Sequence, residues 1–123
     1  MLSKKISIYI LSYLILTGNS IAANHHPIKS KIEQGKKIYH DHCKVCHGGK
    51  GDGKTFAANV LFPPPKNFLD NTTHAKLTRE TMIRSITKGR PTTAMMPWEK
   101  VLSEQEILSV VTYIRKELMK LEK

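Results

Sequence analysis

The chain's only two cysteines lie in one pentapeptide, Cys43-Lys44-Val45-Cys46-His47. Positions i, i+3 and i+4 of a helical turn share a face, so this spacing presents two thiols and an imidazole to the same side. Several chemistries can use such a set. In an exported chain the thiols can pair as a disulfide. As C-x-x-C they match a thiol redox centre, which belongs in a βαβ context. With two further ligands they can hold a structural zinc ion. With a histidine directly following, they match the spacing at which haem is attached covalently: each thiol adds to a vinyl group and the imidazole reaches the iron. The other histidines, His25, His26, His40, His42 and His74, offer no second paired spacing, and no βαβ pattern surrounds the cysteines. Haem attachment is the reading these residues favour.

The elements that must position this motif can be read from periodicity. Ile32, Gly35, Ile38 and Tyr39 recur at helical spacing behind Ser30 and Glu33, a capping-box pair, which predicts a first helix from Ser30 towards Cys43. The stretch from Gly48 to Gly53 is rich in glycine, and Pro63-Pro64-Pro65 excludes helix, so residues 48–73 are expected to be mostly loop. A second helix is expected from Thr78 to about Lys88, with Met82, Ile83 and Ile86 on one side and Gly89 and Pro91 as stop signals. Ser103 and Glu106 form another capping box, and Ile107, Val110, Val111, Ile114 and Leu118 share a face. That predicts a last helix from about Ser103 to Lys120. No segment alternates apolar and polar residues as a strand would. The fold class is all-α, with three main helices joined by long loops.

The N-terminus reads as a targeting segment. Met1 to Lys5 is basic, Ile6 to Leu16 is mostly apolar, and Ser20-Ile21-Ala22 is a small-x-small cleavage signal. Residues 1–22 are therefore expected to be a signal peptide for export to the periplasm, or an anchor if uncleaved. Residues 23–29 are expected to be a flexible lead-in and residues 30–123 the folded domain. Cleavage after Ala22 would place His25 third, where a free amine, two amide nitrogens and the imidazole suit Cu(II) or Ni(II). Losing Lys4 and Lys5 lowers the formal charge from +10 to +8. The remaining aromatics are Tyr39, Phe56, Phe62, Phe68, Trp98 and Tyr113, a thin supply for a domain this small. Long loops are also uncommon in compact domains. A large, rigid, apolar group at the centre answers both difficulties by giving the loops something to bury against.

With these pieces in order, the chain resembles a monohaem class I cytochrome c, similar to small bacterial carriers and to the haem domains of cbb3-type oxidase subunits. The resemblance rests on Gly35 and Tyr39, Cys43 to His47 with its glycine loop, Pro63 to Pro65, Ile86 to Arg90, Met96-Pro97, and Val111 to Arg115. It implies a cytochrome c fold wrapped around one covalent haem c, held by Cys43 and Cys46, with His47 as the proximal iron ligand. It implies a methionine as the distal ligand. Met96 is assigned because it directly precedes Pro97, whereas Met95 lacks that neighbour. It further implies that a carbonyl among Pro63 to Pro65 accepts from the second nitrogen of His47. Arg90 and Trp98 are placed near the haem propionates, and the first and last helices cross where Gly35 and Tyr39 meet Tyr113 and Ile114. His40, His42 and His74 are expected to be solvated.

With both axial positions filled, such a protein is a one-electron carrier and not an enzyme, and His/Met ligation raises its potential. Its positive charge suits an acidic redox partner such as a terminal oxidase, peroxidase or reductase. Lys44, Lys50, Lys54, Lys88 and Arg90 stand where they could ring the haem edge. Export and the lack of a basic recognition element argue against nucleic acid. A monomer without membrane insertion after cleavage is expected. The rival readings are a haem enzyme or gas sensor with an open sixth position, and a non-haem thiol or metal-binding module.

Overall fold

A computed structural model describes residues 27–122. The expected signal peptide, residues 1–22, and the metal site expected at His25 lie outside the described residues. Helix α1 spans Pro27–Ile38, beginning three residues before the expected Ser30. Proline suits a first helical position because its fixed φ is already helical and the N–H it lacks would have no intrahelical partner. Ser30 is consequently an interior helical residue rather than a cap, and the helix takes in the end of the expected lead-in. Over Tyr39–Cys43 the chain continues as a π-helical turn and then as the short helix α2, Lys44–His47. A π turn inserts an extra residue into the helical path. It lies between Ile38, buried in the core, and Cys43, which faces a cavity.

The loop after α2 is less irregular than expected. It contains a 3₁₀ turn, Ala57–Val60, and a four-residue helix α3, Asn71–His74, capped by the Asp70 side chain. Helix α4 spans Arg79–Lys88, capped by Thr78, with Met82 and Ile86 buried. Helix α5 spans Glu104–Tyr113 and extends through a second π turn, Ile114–Leu118. Both halves of its capping box form: Ser103 N–H donates to Glu106 Oε2 at 2.8 Å, and Glu106 N–H donates to Ser103 Oγ at 3.4 Å. Of the expected inward stripe, Ile107, Val110, Val111 and Ile114 are buried, and Leu118 is half-buried against the core. The described residues contain no strand, so the fold is all-α, as a cytochrome c fold requires.

Helices α1 and α5 make the main packing contact of the domain. At their crossing a Cβ on Gly35 would overlap the Ser109 carbonyl oxygen and lie 2.8 Å from Tyr113 Cβ, so only glycine allows this approach. The Tyr39 and Tyr113 rings meet beside it, with centroids 5.5 Å apart. Ser109, which donates to Gln34 Oε1 at 2.8 Å, is the close partner that the sequence reading missed. Gly89 ends α4 at φ +70°, and a Cβ there would lie 2.7 Å from the Met95 carbonyl oxygen and 2.8 Å from the Pro97 nitrogen. The loop from Pro91 to Lys100 thus closes tightly over the end of α4. It is tied there by Arg90 N–H donating to Met95 O and Trp98 N–H donating to Ile86 O, both at 2.9 Å. None of the described helices is long and apolar enough to cross a membrane.

Candidate functional site

The helices and loops enclose a cavity of about 380 Å³, within the range for sites that hold a small organic group. Cys43, Cys46 and His47 form one wall. Leu61, Pro63, Pro64 and Pro65 form another, and Met95, Met96 and Trp98 close it from the α4–α5 loop. The pentapeptide is therefore brought together with the loop methionines, as the spacing and the resemblance implied.

His47 is held from behind. Its Nδ1 lies 3.1 Å from the Lys66 carbonyl oxygen; since a carbonyl only accepts, Nδ1 carries the proton and Nε2 is left as the free nitrogen. This corrects the expectation that the acceptor is one of Pro63 to Pro65. The Pro65 carbonyl is turned towards Gly53, 3.2 Å from where a Cβ on that residue would sit, and the next carbonyl meets the imidazole. Gly53 N–H also donates to the His47 carbonyl at 2.8 Å, so the glycine loop fixes the histidine backbone. On the other side, the Phe68 ring stacks on the imidazole at 4.8 Å and 15°. Burial lowers the His47 pKa, against a smaller opposing effect of the Lys66 carbonyl, and so favours the neutral form that can bind iron.

The cysteines are unpaired. Burial, followed by the neighbouring Cys46, pushes the Cys43 thiol up to about 12. A redox C-x-x-C centre is served by a depressed thiol pKa, the opposite direction, and belongs in a βαβ unit, whereas the described residues contain no strand. The zinc reading fares no better: no group of three or more potential metal ligands occurs among the described residues. An apolar cavity with two inward thiols and one orientated neutral imidazole fits a covalently attached haem.

The two methionines differ. Both line the cavity, but Met95 is half-buried and packs against the hydrophobic core, whereas Met96 is 68% exposed. Arg90 and Trp98 both line the cavity, as expected. His42 and His74 depart from expectation. His42 lines the cavity with its ring 5.0 Å from Trp98, because the α4–α5 loop brings the indole over the π turn. His74 is half-buried, with Nε2 2.9 Å from the Phe68 carbonyl oxygen, because α3 folds back over the segment that backs His47. His40 is also half-buried, edge-on to Tyr39 at 6.1 Å.

Comparison with known proteins agrees with this geometry. Residues 30–114 match the family described as "Cytochrome C oxidase, cbb3-type, subunit III". The cbb3-type cytochrome c oxidase subunit CcoP of Azospirillum sp. (strain B510) is 33% identical over 89 residues, 68% of this chain and 28% of that protein. The CcoP subunit of Azospirillum brasilense is 31% identical over 86 residues, 67% of this chain and 27% of its own. The chain thus spans little more than a quarter of the length of these curated relatives. Among solved structures, the KustC0563 c-type cytochrome superposes with a TM-score of 0.57 at 32% identity, covering 66% of this chain and 93% of that one. The Kuenenia stuttgartiensis reducing HAO-like protein complex Kustc0457/Kustc0458 superposes at 0.58 and 28% identity, covering 74% of this chain and 45% of that one. With the cavity, the two neighbouring free thiols and the half-buried imidazole, these likenesses show that the chain is a haem c protein belonging to the cytochrome c family of cbb3-type oxidase subunit III.

Proposed function

We propose that the protein is a one-electron carrier in which Cys43 and Cys46 anchor the haem and His47 and Met96 are its axial ligands. The observation that carries this reading is the placement of His47 and Met96 on the walls of one cavity, where the neighbouring Met95, also on the wall, is half-buried against the core and Met96 is not. The haem supplies the one-electron chemistry, and the protein holds the geometry. Lys66 O and Phe68 fix the imidazole, and the short contacts around Gly89 fix the methionine loop, so His47 and Met96 would hold the iron without any outside ligand. The oxidised holoprotein is expected to show the weak long-wavelength methionine–iron charge-transfer band, and the reduced form to resist carbon monoxide. Prompt carbon monoxide binding without that band would mean an open-site haem enzyme or gas sensor.

The names of the curated relatives favour a terminal oxidase as electron partner, reached in the periplasm after export by residues 1–22. The surface beside the haem motif suits such docking. Lys44, Lys50, Lys54 and Lys66 are exposed around it, while Lys88 is partly neutralised by Glu99 at 2.6 Å. The 3₁₀ turn packs on α2 and is flanked by Phe56 and Phe62, 88% and 94% exposed. Apolar side chains inside a basic rim match an acidic, apolar-centred partner face. Changing Lys44, Lys50 and Lys54 together to Glu should slow electron transfer to a cbb3-type oxidase by about tenfold at low salt, with the difference shrinking as ionic strength rises. The same triple change at Lys29, Lys31 and Lys36 on α1 alters net charge equally and should slow it much less. Equal slowing by both sets would remove the docking face and leave only a general charge effect.

A further inference from the structure

Phe68 is one of the few aromatics in the core and is 6% exposed, yet its ring lies flat against the cavity histidine instead of meeting it edge-on. Parallel contact at 4.8 Å leaves the imidazole little freedom to rotate about its bond to the chain. The Lys66 carbonyl restrains one edge of the ring and Phe68 restrains its face, so together they set the direction of the imidazole plane.

Phe68 is itself held. Its N–H donates to Gly51 O at 2.7 Å, and its carbonyl accepts from His74 Nε2 at 2.9 Å. Gly51 has φ +80°, and a Cβ there would lie 3.2 Å from the Phe68 ring. Helix α3, which carries His74, is joined to the same segment. Thr73 Oγ1 donates to Asp70 O at 2.8 Å and lies 3.3 Å from Asn67 O, while Asp70 Oδ1 caps the helix at Thr72 N–H. A four-residue helix would not persist alone. Here its last residue reaches back six positions to the carbonyl of the residue stacked on His47.

We infer that Phe68, held by His74, is a positioning residue that sets the plane of the axial imidazole and keeps water from its face. The inference rests on His47 being an iron ligand and goes beyond it by assigning roles to two residues that do not touch the iron. Imidazole orientation governs how unpaired spin is distributed over a low-spin ferric haem, and the spread of the haem-methyl proton resonances reads it directly. A dry apolar face beside the ligand also disfavours the more charged oxidised state and so holds the potential up.

The test uses the matured holoprotein. Phe68→Leu keeps an apolar side chain but removes the flat ring, and should change the order and spread of the haem-methyl resonances and lower the potential. His74→Ala should produce a smaller change in the same direction, and His74→Gln, whose amide can still donate to the Phe68 carbonyl, should restore the wild-type pattern. In the Phe68→Leu background, His74→Ala should add nothing further, because its effect passes through the ring. A merely structural role would lower the thermal midpoint and leave the resonance pattern, the electron paramagnetic g-values and the potential in place; that result would overturn the inference. Additive effects of the two changes would remove His74 from it. Should Phe68→Leu fail to mature, the His74→Ala and His74→Gln pair decides alone by the same spectra. Failure of the ligand assignment is distinguishable, since the wild-type protein itself would then lack a low-spin His–Met spectrum.

Discussion

Cys43→Ala combined with Cys46→Ala should leave a chain with little cooperative structure when produced alongside the haem-attachment machinery. The described core is a single cluster of thirteen buried side chains, with Tyr39, Val110 and Val111 fully buried, and it adjoins a cavity of about 380 Å³. At roughly 24 cal/mol per Å³, an unfilled cavity of that size costs up to about 9 kcal/mol, comparable with the whole stability of a typical domain. The figure is an upper bound, because an open cavity also hydrates and collapses. Haem packed in the native cavity offsets that cost by burying its apolar faces against the cavity wall, and covalent attachment makes the offset independent of haem concentration. Far-UV circular dichroism through a thermal scan is the check. The matured wild type should unfold in one sharp transition, and the double variant should lose most of its helical signal and show no sharp transition. A double variant that melts cooperatively near the wild-type temperature would show that the helices pack without the haem, and the thin aromatic core would then need another explanation.

The parts of this fold that were legible in the sequence are those fixed within a few residues. The Ser103/Glu106 capping box, the helix starting near Thr78, the Gly89 stop and the inward stripe from Ile107 to Ile114 are local patterns, and each is present. The attachment motif was equally legible, because three ligand-forming side chains within five residues share a face whatever lies around them. Partners set by the path of a loop were not legible. The triple proline marked the right stretch for the His47 acceptor, but the turn of one peptide plane decides between the carbonyls of Pro65 and Lys66, and here the Pro65 carbonyl lies against Gly53 while that of Lys66 meets the imidazole. The stacking of Phe68 on His47 spans 21 positions, and nothing local about Phe68 distinguishes it from an ordinary core residue. Asp70 and Thr72 form an N-cap pair that periodicity could not reveal, since α3 is too short to carry a pattern. The π turn at Tyr39–Cys43 is likewise invisible to a 3.6-residue template, because it breaks the period where α1 leaves the core and the chain reaches the cavity.

Met96→Ala should abolish the methionine–iron charge-transfer band, lower the potential by on the order of a hundred millivolts, and allow carbon monoxide or imidazole to bind. Met95→Ala should leave all three unchanged. The distinction rests on where the structure has already committed each side chain. Met95 also lines the cavity but is half-buried against the core, and its carbonyl accepts from Arg90 N–H, so moving its thioether onto the iron would strip a packed position and disturb the closure over Gly89. Met96 is 68% exposed on the cavity wall and next to Pro97, so it can swing inward without leaving a hole. Truncating Met95 should therefore act on stability instead, by about 2 kcal/mol, the lower end of the range for a buried methionine because the side chain is only half-buried. A denaturant titration of each variant beside its absorption spectrum separates the two roles, with the stability loss confined to Met95→Ala and the spectral loss to Met96→Ala. The opposite partition would make Met95 the ligand. Retention of a low-spin spectrum in both would point to His42, the other histidine on the cavity wall, and its ring would then have to leave Trp98 to reach the iron.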